Sequence, residues 1–267
     1  MSITFSSCFY IIKAKFEAEK YIYWMNNFFS IVNNFYLVIY TDENSLKYIN
    51  TKDNPNIKII IKPLSQFHNY KYKEFWISNH EENIYLNSLI CWELNMLWSE
   101  KAWFVKETCE NNYFNTDMHG WCDIGYFRNR ENDKHTIYLQ NWCSKAKIQK
   151  IDPYKIHYAC VNNDNNFLQD LSNSINSKNE VGLPINPIPP DICSIGGGFF
   201  IIHKNKIDWW CSTLDNKLQL YFNHKYLVKD DQIILVDCIF TSPSEFTLYT
   251  ENYRCYDNWF MFQRILI

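Results

Sequence analysis

Three short apolar runs, spaced by helical or polar segments, constrain this chain more than any other feature. Ser2 to Ile12 is continuous and rich in β-branched and aromatic residues, Phe35 to Tyr40 is a second such run, and Ile57 to Lys62 is a third, ended by Pro63. Between the first two, Tyr21, Trp24, Met25 and Phe28 fall at i, i+3, i+4 and i+7, the apolar stripe of one helix face. After the second, Thr41-Asp42-Glu43-Asn44 supplies a turn or helix-cap cluster. Runs of this length without polar alternation are read as strands covered on both faces, which parallel βαβ units provide. The expected fold class is α/β, with a mostly parallel, Rossmann-like central sheet flanked by helices.

The same pattern continues downstream. Asn83 to Asn112 is expected to be one long helix or two stacked ones, with Leu89, Trp92, Met96 and Val105 facing inward. Met118 to Asp123 and Lys155 to Val161 are strand candidates. Residues 162–190 are rich in Asn and Ser and carry four of the eight prolines in their last seven positions, so a mobile loop over the domain face is expected there. A strand through Ile192-Cys193-Ser194, a glycine triplet, a strand over Phe199 to His203 and helices from about Asn205 complete the expectation of one domain spanning 1–267.

Composition excludes several functions. The formal net charge is −3 with 21% charged residues, unlike a protein that works by neutralising nucleic-acid phosphates. No apolar run reaches the length of a membrane span, and no basic-then-apolar leader opens the chain, so a cytoplasmic protein is expected. The ten cysteines contain no C-x-x-C pair and sit among Phe, Ile and Trp, as reduced, buried thiols do.

Glycine and arginine are scarce, which makes their clusters informative. Five of six glycines lie in two places, Gly120 with Gly125 and Gly196-Gly197-Gly198, and two of only four arginines, Arg128 and Arg130, follow the first place. Asp123, at the expected carboxyl end of a strand, can hold a hard cation or merely cap a turn. The glycine triplet either lets a backbone approach a ligand or forms a bulge. Lys229-Asp230-Asp231-Gln232 precedes an apolar run; Asp230 suits a helix N-cap, which leaves Asp231 without an evident structural task.

In order along the chain, L-V-I-Y-T-D (Leu37 to Asp42), S-E-K-x-x-F-V-x-E (Ser99 to Glu107), W-C-D-I-G-Y-F-R (Trp121 to Arg128), G-G-G-F-F (Gly196 to Phe200) and K-D-D-Q (Lys229 to Gln232) resemble the HtrL/YibB, WlaTC-like family of glycosyltransferases. The resemblance runs from about Thr4 to Tyr249. It implies a GT-A glycosyltransferase fold, a nucleotide-sugar donor with UDP-sugar favoured, a glycan or glycoprotein acceptor, and Mn²⁺ or Mg²⁺ as cofactor. Asp123 then matches the last carboxylate of a D-x-D element whose first Asp is replaced by Trp121, and His203 or His224 would be a further metal ligand. Thr41, Asp42, Lys101, Trp121, Asp123 and Arg128 would bind the donor. Gly196, Gly197, Gly198, Phe199 and Gln232 would contact sugar or acceptor. Asp231, or its neighbour Asp230, would be the base of an inverting reaction or hold donor hydroxyls in a retaining one. Trp209 and Trp210 flank the motifs as candidate sugar-stacking rings. Two other readings stand beside this one: a non-catalytic nucleotide-sugar or glycan-binding protein with a GT-A shell, and a nucleotidyltransferase. The second wants an early glycine-rich phosphate loop, and residues 1–119 contain no glycine.

Overall fold

The computed structural model describes residues 2–253 and 255–267. In chain order, the first part runs β1 (Ile3–Phe9), α1 (Ala18–Phe29), β2 (Tyr36–Thr41), α2 (Glu43–Leu46), β3 (Ile57–Ile61), α3 (Lys73–Glu82), α4 (Trp92–Ser99), α5 (Lys101–Asn111) and β4 (Met118–Cys122). It continues with α6 (Lys145–Ile148), β5 (Ile156–Cys160), α7 (Asn165–Asn176), β6 (Ile195–His203), α8 (Ile207–Asn223), α9 (Asp231–Thr241), β7 (Phe246–Tyr249) and α10 (Phe262–Ile265).

The seven strands form one sheet in the order β3-β2-β1-β4-β6-β5-β7. Strands β1 to β4 pair in parallel, as do β5 and β7, while β6 runs antiparallel to both of its neighbours. The expected α/β class with a mostly parallel, helix-flanked sheet is therefore present. Period-two alternation divides the side chains between two cores. Leu37 and Ile39 join Phe5, Phe28, Trp142 and Phe199 on one face, whereas Val38 and Tyr40 join Phe104, Trp121 and Trp210 on the other.

Several expectations change at the element level. The 83–112 segment forms two helices, α4 and α5, beginning only at Trp92, and Leu89 is exposed, while Met96 and Val105 are buried. The break falls at Glu100. Its buried carboxylate accepts from the backbone N–H groups of His68 (2.6 Å) and Asn69 (2.9 Å) and from Asn69 Nδ2 (2.9 Å), anchoring the junction. Residues 162–190 are not one loop. Asp164 caps α7 by accepting from the N–H groups of Asn166 and Phe167, and Leu171 and Ile175, one turn apart, bury themselves. Asn and Ser are weak helix formers, so the cap and this apolar pair outweigh propensity. The glycine triplet is not a break between two strands either: β6 is continuous through it, and residues 192–194 lie outside the strand. No described helix is long and apolar enough to cross a membrane. All ten cysteines are free, and only Cys193 and Cys255 are exposed.

Candidate functional site

The carboxyl ends of β1 and β4 open into a cleft of about 440 Å³, the position where open α/β sheets bind ligands. Its floor is built from four separate stretches of chain, one of them the glycine triplet in β6. Asp123 follows β4, and its backbone N–H donates to Gly198 O (2.9 Å). Asp231 opens α9. Lys101 opens α5, directed inward by the Glu100 anchor.

Lys101 joins the two carboxylates. Its Nζ donates to Asp231 Oδ2 (2.9 Å) and to Gly197 O (2.8 Å), and lies 3.4 Å from Asp123 Oδ1. Burial opposes the ammonium charge, but Asp123 and Asp231 together outweigh it and hold the Lys101 pKa above the ordinary lysine value. Asp231 moves up, to about 6, because burial and the nearby Asp230 and Asp123 charges exceed the stabilisation from Lys101. It is therefore ionised at neutral pH yet far more basic than a solvated carboxylate.

The glycine triplet has a local explanation. A Cβ on Gly197 would stand 2.8 Å from Asp231 Oδ2, and one on Gly198 would stand 3.0 Å from Asp123 Oδ2. These glycines let the two carboxylates lie against the strand backbone. Gly196 has ordinary space around it and sits where the β5–β6 register shifts.

The expected site residues separate into two groups. Lys101, Trp121, Asp123, Arg128, Gly197, Gly198, Asp230, Asp231 and Gln232 border the cleft. Trp121 is nearly fully buried beneath it, stacked on Phe104, and its Nε1 donates to Asp123 Oδ1 (2.5 Å). The Trp121 indole thus orients the Asp123 carboxylate. Asp230 is committed as the α9 N-cap, accepting from Gln232 N–H (3.2 Å), and also pairs with Lys229 (3.1 Å). Asp231 is left as the carboxylate with freedom to act.

The other group lies elsewhere. Thr41 donates to Phe9 O (2.7 Å), and Asp42 caps α2 by accepting from Ser45 N–H (2.7 Å), so neither faces the cleft. Phe199 is buried against Phe5, Tyr126 and Phe262 on the far side of the sheet. Trp210 is buried and bonded to Tyr158 OH, and Trp209 packs on Phe246. His203 pairs with Met118 at the start of β4, five residues of strand, about 17 Å, from Asp123. His224 ends α8 at the surface and does not border the cleft.

These positions do not fit a resident divalent cation. A hard cation wants six or more oxygen ligands. Here Asp123 and Asp231 are already bridged by an ammonium, the expected histidines are distant, and no group of three His, Cys, Asp or Glu side chains gathers among the described residues.

Sequence reasoning missed the rim. The β1–α1 connection contributes Lys15 and Phe16, α1 contributes Tyr21, α4 contributes Trp98, and the C-terminal segment contributes Asp257, Trp259 and Phe260. Arg128 lies over Trp24 (4.4 Å from guanidinium carbon to ring centroid), and a Cβ on Gly125 would meet that same ring at 2.8 Å. The scarcity of Gly and Arg flagged Gly125 and Arg128; nothing comparable flagged Lys15, one lysine among many.

No family model matches this chain, and no curated protein matches it. Among solved structures, the chain is similar to mouse xyloside xylosyltransferase 1 in its apo form, with 12% identity and a TM-score of 0.48 over 93% of this chain and 85% of that one. It is similar as well to the galactosyltransferase LgtC in complex with donor and acceptor sugar analogues, with 11% identity and a TM-score of 0.47 over 95% and 74%. At such values the likeness concerns the approximate course of the chain and says nothing of chemistry. What the fold and site define is an α/β protein with a mostly parallel sheet and a charged cleft at its carboxyl edge.

Proposed function

We propose that the protein is a glycosyltransferase that binds a nucleotide sugar, UDP-linked, in this cleft and passes the sugar to a hydroxyl of a glycan or glycoprotein acceptor. The sequence resemblance to the HtrL/YibB family and a GT-A assignment belong to this proposal. The observation that carries it is the meeting of Lys101, Asp123, Gly197 and Asp231 at one cleft floor, drawn from four motifs spread over 130 residues of sequence.

The chemistry follows from that arrangement. Asp231 accepts the proton of the acceptor hydroxyl as its oxygen bonds to the anomeric carbon. The bond from that carbon to the phosphate oxygen breaks, and the electron pair leaves with the nucleoside diphosphate. A pKa of about 6 leaves Asp231 ionised at pH 7 and still able to take a proton in the transition state. Lys101 fixes the carboxylate's position, and the Arg128 guanidinium at the cleft wall stabilises charge gathering on the leaving diphosphate.

The test is transfer from a panel of UDP-sugars to glycan acceptors, with donor binding followed separately by calorimetry. Wild type is expected to bind donor and release UDP; Asp231→Asn is expected to keep the binding and lose turnover by about 10²- to 10⁴-fold. Donor binding without turnover in either protein would instead favour the non-catalytic binding reading.

A further inference from the structure

The charges around the cleft do not balance locally, and the imbalance has a location. Four carboxylates border it, and each has a cation within ion-pair distance: Asp123 and Asp231 share Lys101, Asp230 has Lys229 (3.1 Å), and Asp257 has Arg130 (2.8 Å), which also pairs with Asp133. Two bordering cations have no carboxylate within ion-pair distance among the described residues, Lys15 and Arg128. Both are instead placed over aromatic rings. Lys15 Nζ stands 4.9 Å from the centroid of Trp98, and the Arg128 guanidinium carbon is 4.4 Å from Trp24, 5.0 Å from Phe260 and 5.7 Å from Phe16.

That geometry leaves donors unspent. Arg128 Nε donates to Gly125 O (2.9 Å), which fixes the plane of the guanidinium among its rings, while its other N–H groups donate to no protein acceptor among the described residues. Burial first, and then the neighbouring Arg130, press its pKa below the ordinary arginine value, a cost that a bound anion would remove. Aromatic stacking offsets part of that cost without neutralising the charge. A rigid, unpaired guanidinium matches two phosphate oxygens at once. Arg128 lies over Phe16, the residue that follows Lys15 in the sequence, and both cations border the same cleft.

We infer that the diphosphate of the donor is held by Arg128 and Lys15 themselves, with no divalent ion as a bridge. The inference rests on the nucleotide-sugar reading above and sharpens it. The two parts of the cleft divide the work: Lys101 bridges Asp123 and Asp231 into a floor that keeps one negative charge in excess, while Arg128 and Lys15 form an anion-seeking rim. The ammonium of Lys101 stands between the two carboxylates where a bridging cation would otherwise have to go.

The experiment is calorimetric titration of the full chain with UDP and with inorganic pyrophosphate, in EDTA and in Mn²⁺. Wild type is expected to bind both in EDTA. Lys15→Ala and Arg128→Lys are each expected to weaken both ligands about tenfold or more, since a hydrogen bond to a charged group is lost or misdirected. Asp123→Asn should leave the EDTA affinity unchanged or tighten it. Arg128→Lys keeps the charge and the stem, and its melting temperature shows whether folding is intact; Lys15 is on an exposed connection, so its variant provides a second reading should the first fail to fold. Binding that appears only with Mn²⁺ and vanishes in Asp123→Asn would overturn the inference, as would wild-type affinity in EDTA for both cation variants. Metal-free binding with the expected losses, but no turnover of any nucleotide sugar, would leave the anion site standing and remove the transferase reading alone.

Discussion

Helix α9 carries two buried carboxylates six residues apart, and they live in different electrostatic company. Asp237 is fully buried and accepts from four donors: Lys178 Nζ (2.6 Å), Lys217 Nζ (3.1 Å), Tyr221 OH (2.9 Å) and Thr241 Oγ1 (3.0 Å). Asp231 has Lys101 alone, shared with Asp123. A carboxylate has room for about four hydrogen bonds, so the first is saturated and the second is not. Saturation marks a group that holds structure together. An under-satisfied buried charge beside a cleft marks one kept ready to exchange partners or a proton.

The contrast can be broken by exchanging losses. Asp237→Asn is expected to cost about 3–5 kcal/mol of stability, because two lysines lose their buried counter-charge, while turnover per folded molecule stays near wild type. Denaturant unfolding alongside a transfer assay reads both. Comparable losses of turnover at both positions would dissolve the distinction.

A smaller effect sharpens the Asp231 side. Its folded pKa, about 6, lies above the ordinary 3.8, so the folded state takes up a proton before the unfolded state does. The stability this contributes is fully present below about pH 4 and is lost as pH rises through about 6. Transfer is expected to run the other way, falling roughly tenfold per pH unit below about 6 as the proposed base is protonated. Unfolding curves and a pH–rate profile should show these opposite slopes in wild type, and Asp231→Asn should flatten the stability slope.

The smallest effect separates the neighbours. Asp230→Ala should cost about 1 kcal/mol through loss of the α9 cap while keeping most of the turnover. A drop in turnover as deep as that of Asp231→Asn would move the base to Asp230.

Much of the architecture was legible because its signals are local. The apolar runs at Phe35 to Tyr40 and Ile57 to Lys62 gave β2 and β3 almost to the residue, and the i, i+3, i+4, i+7 stripe gave α1. Helix α7 carries a stripe of Phe167 or Leu168, Leu171 and Ile175 at helical spacing, but the Asn- and Ser-rich composition and the prolines that follow masked it. The cleft floor was legible in part: rarity exposed the glycines, and Asp231 stood out once Asp230 served as cap. Pairing is a matter of three dimensions, and sequence could not say that Lys101 bridges Asp123 and Asp231 or that Trp121 steadies Asp123. It likewise could not separate Lys15 from two dozen other basic residues, since what distinguishes it is the lack of a partner.

The reversed strand β6 has a consequence for how the molecule comes into being. It is the one connection between the four-stranded parallel half and the β5–β7 pair, and it meets β4 some eighty residues later in the chain. During synthesis Lys101 and Asp123 emerge early, but the strand that seats them and the helix that brings Asp231 arrive only in the last third. The cleft floor is thus completed late, and a ribosome stalled just before Asp231 has made six of the seven strands but holds an ammonium still awaiting its second carboxylate.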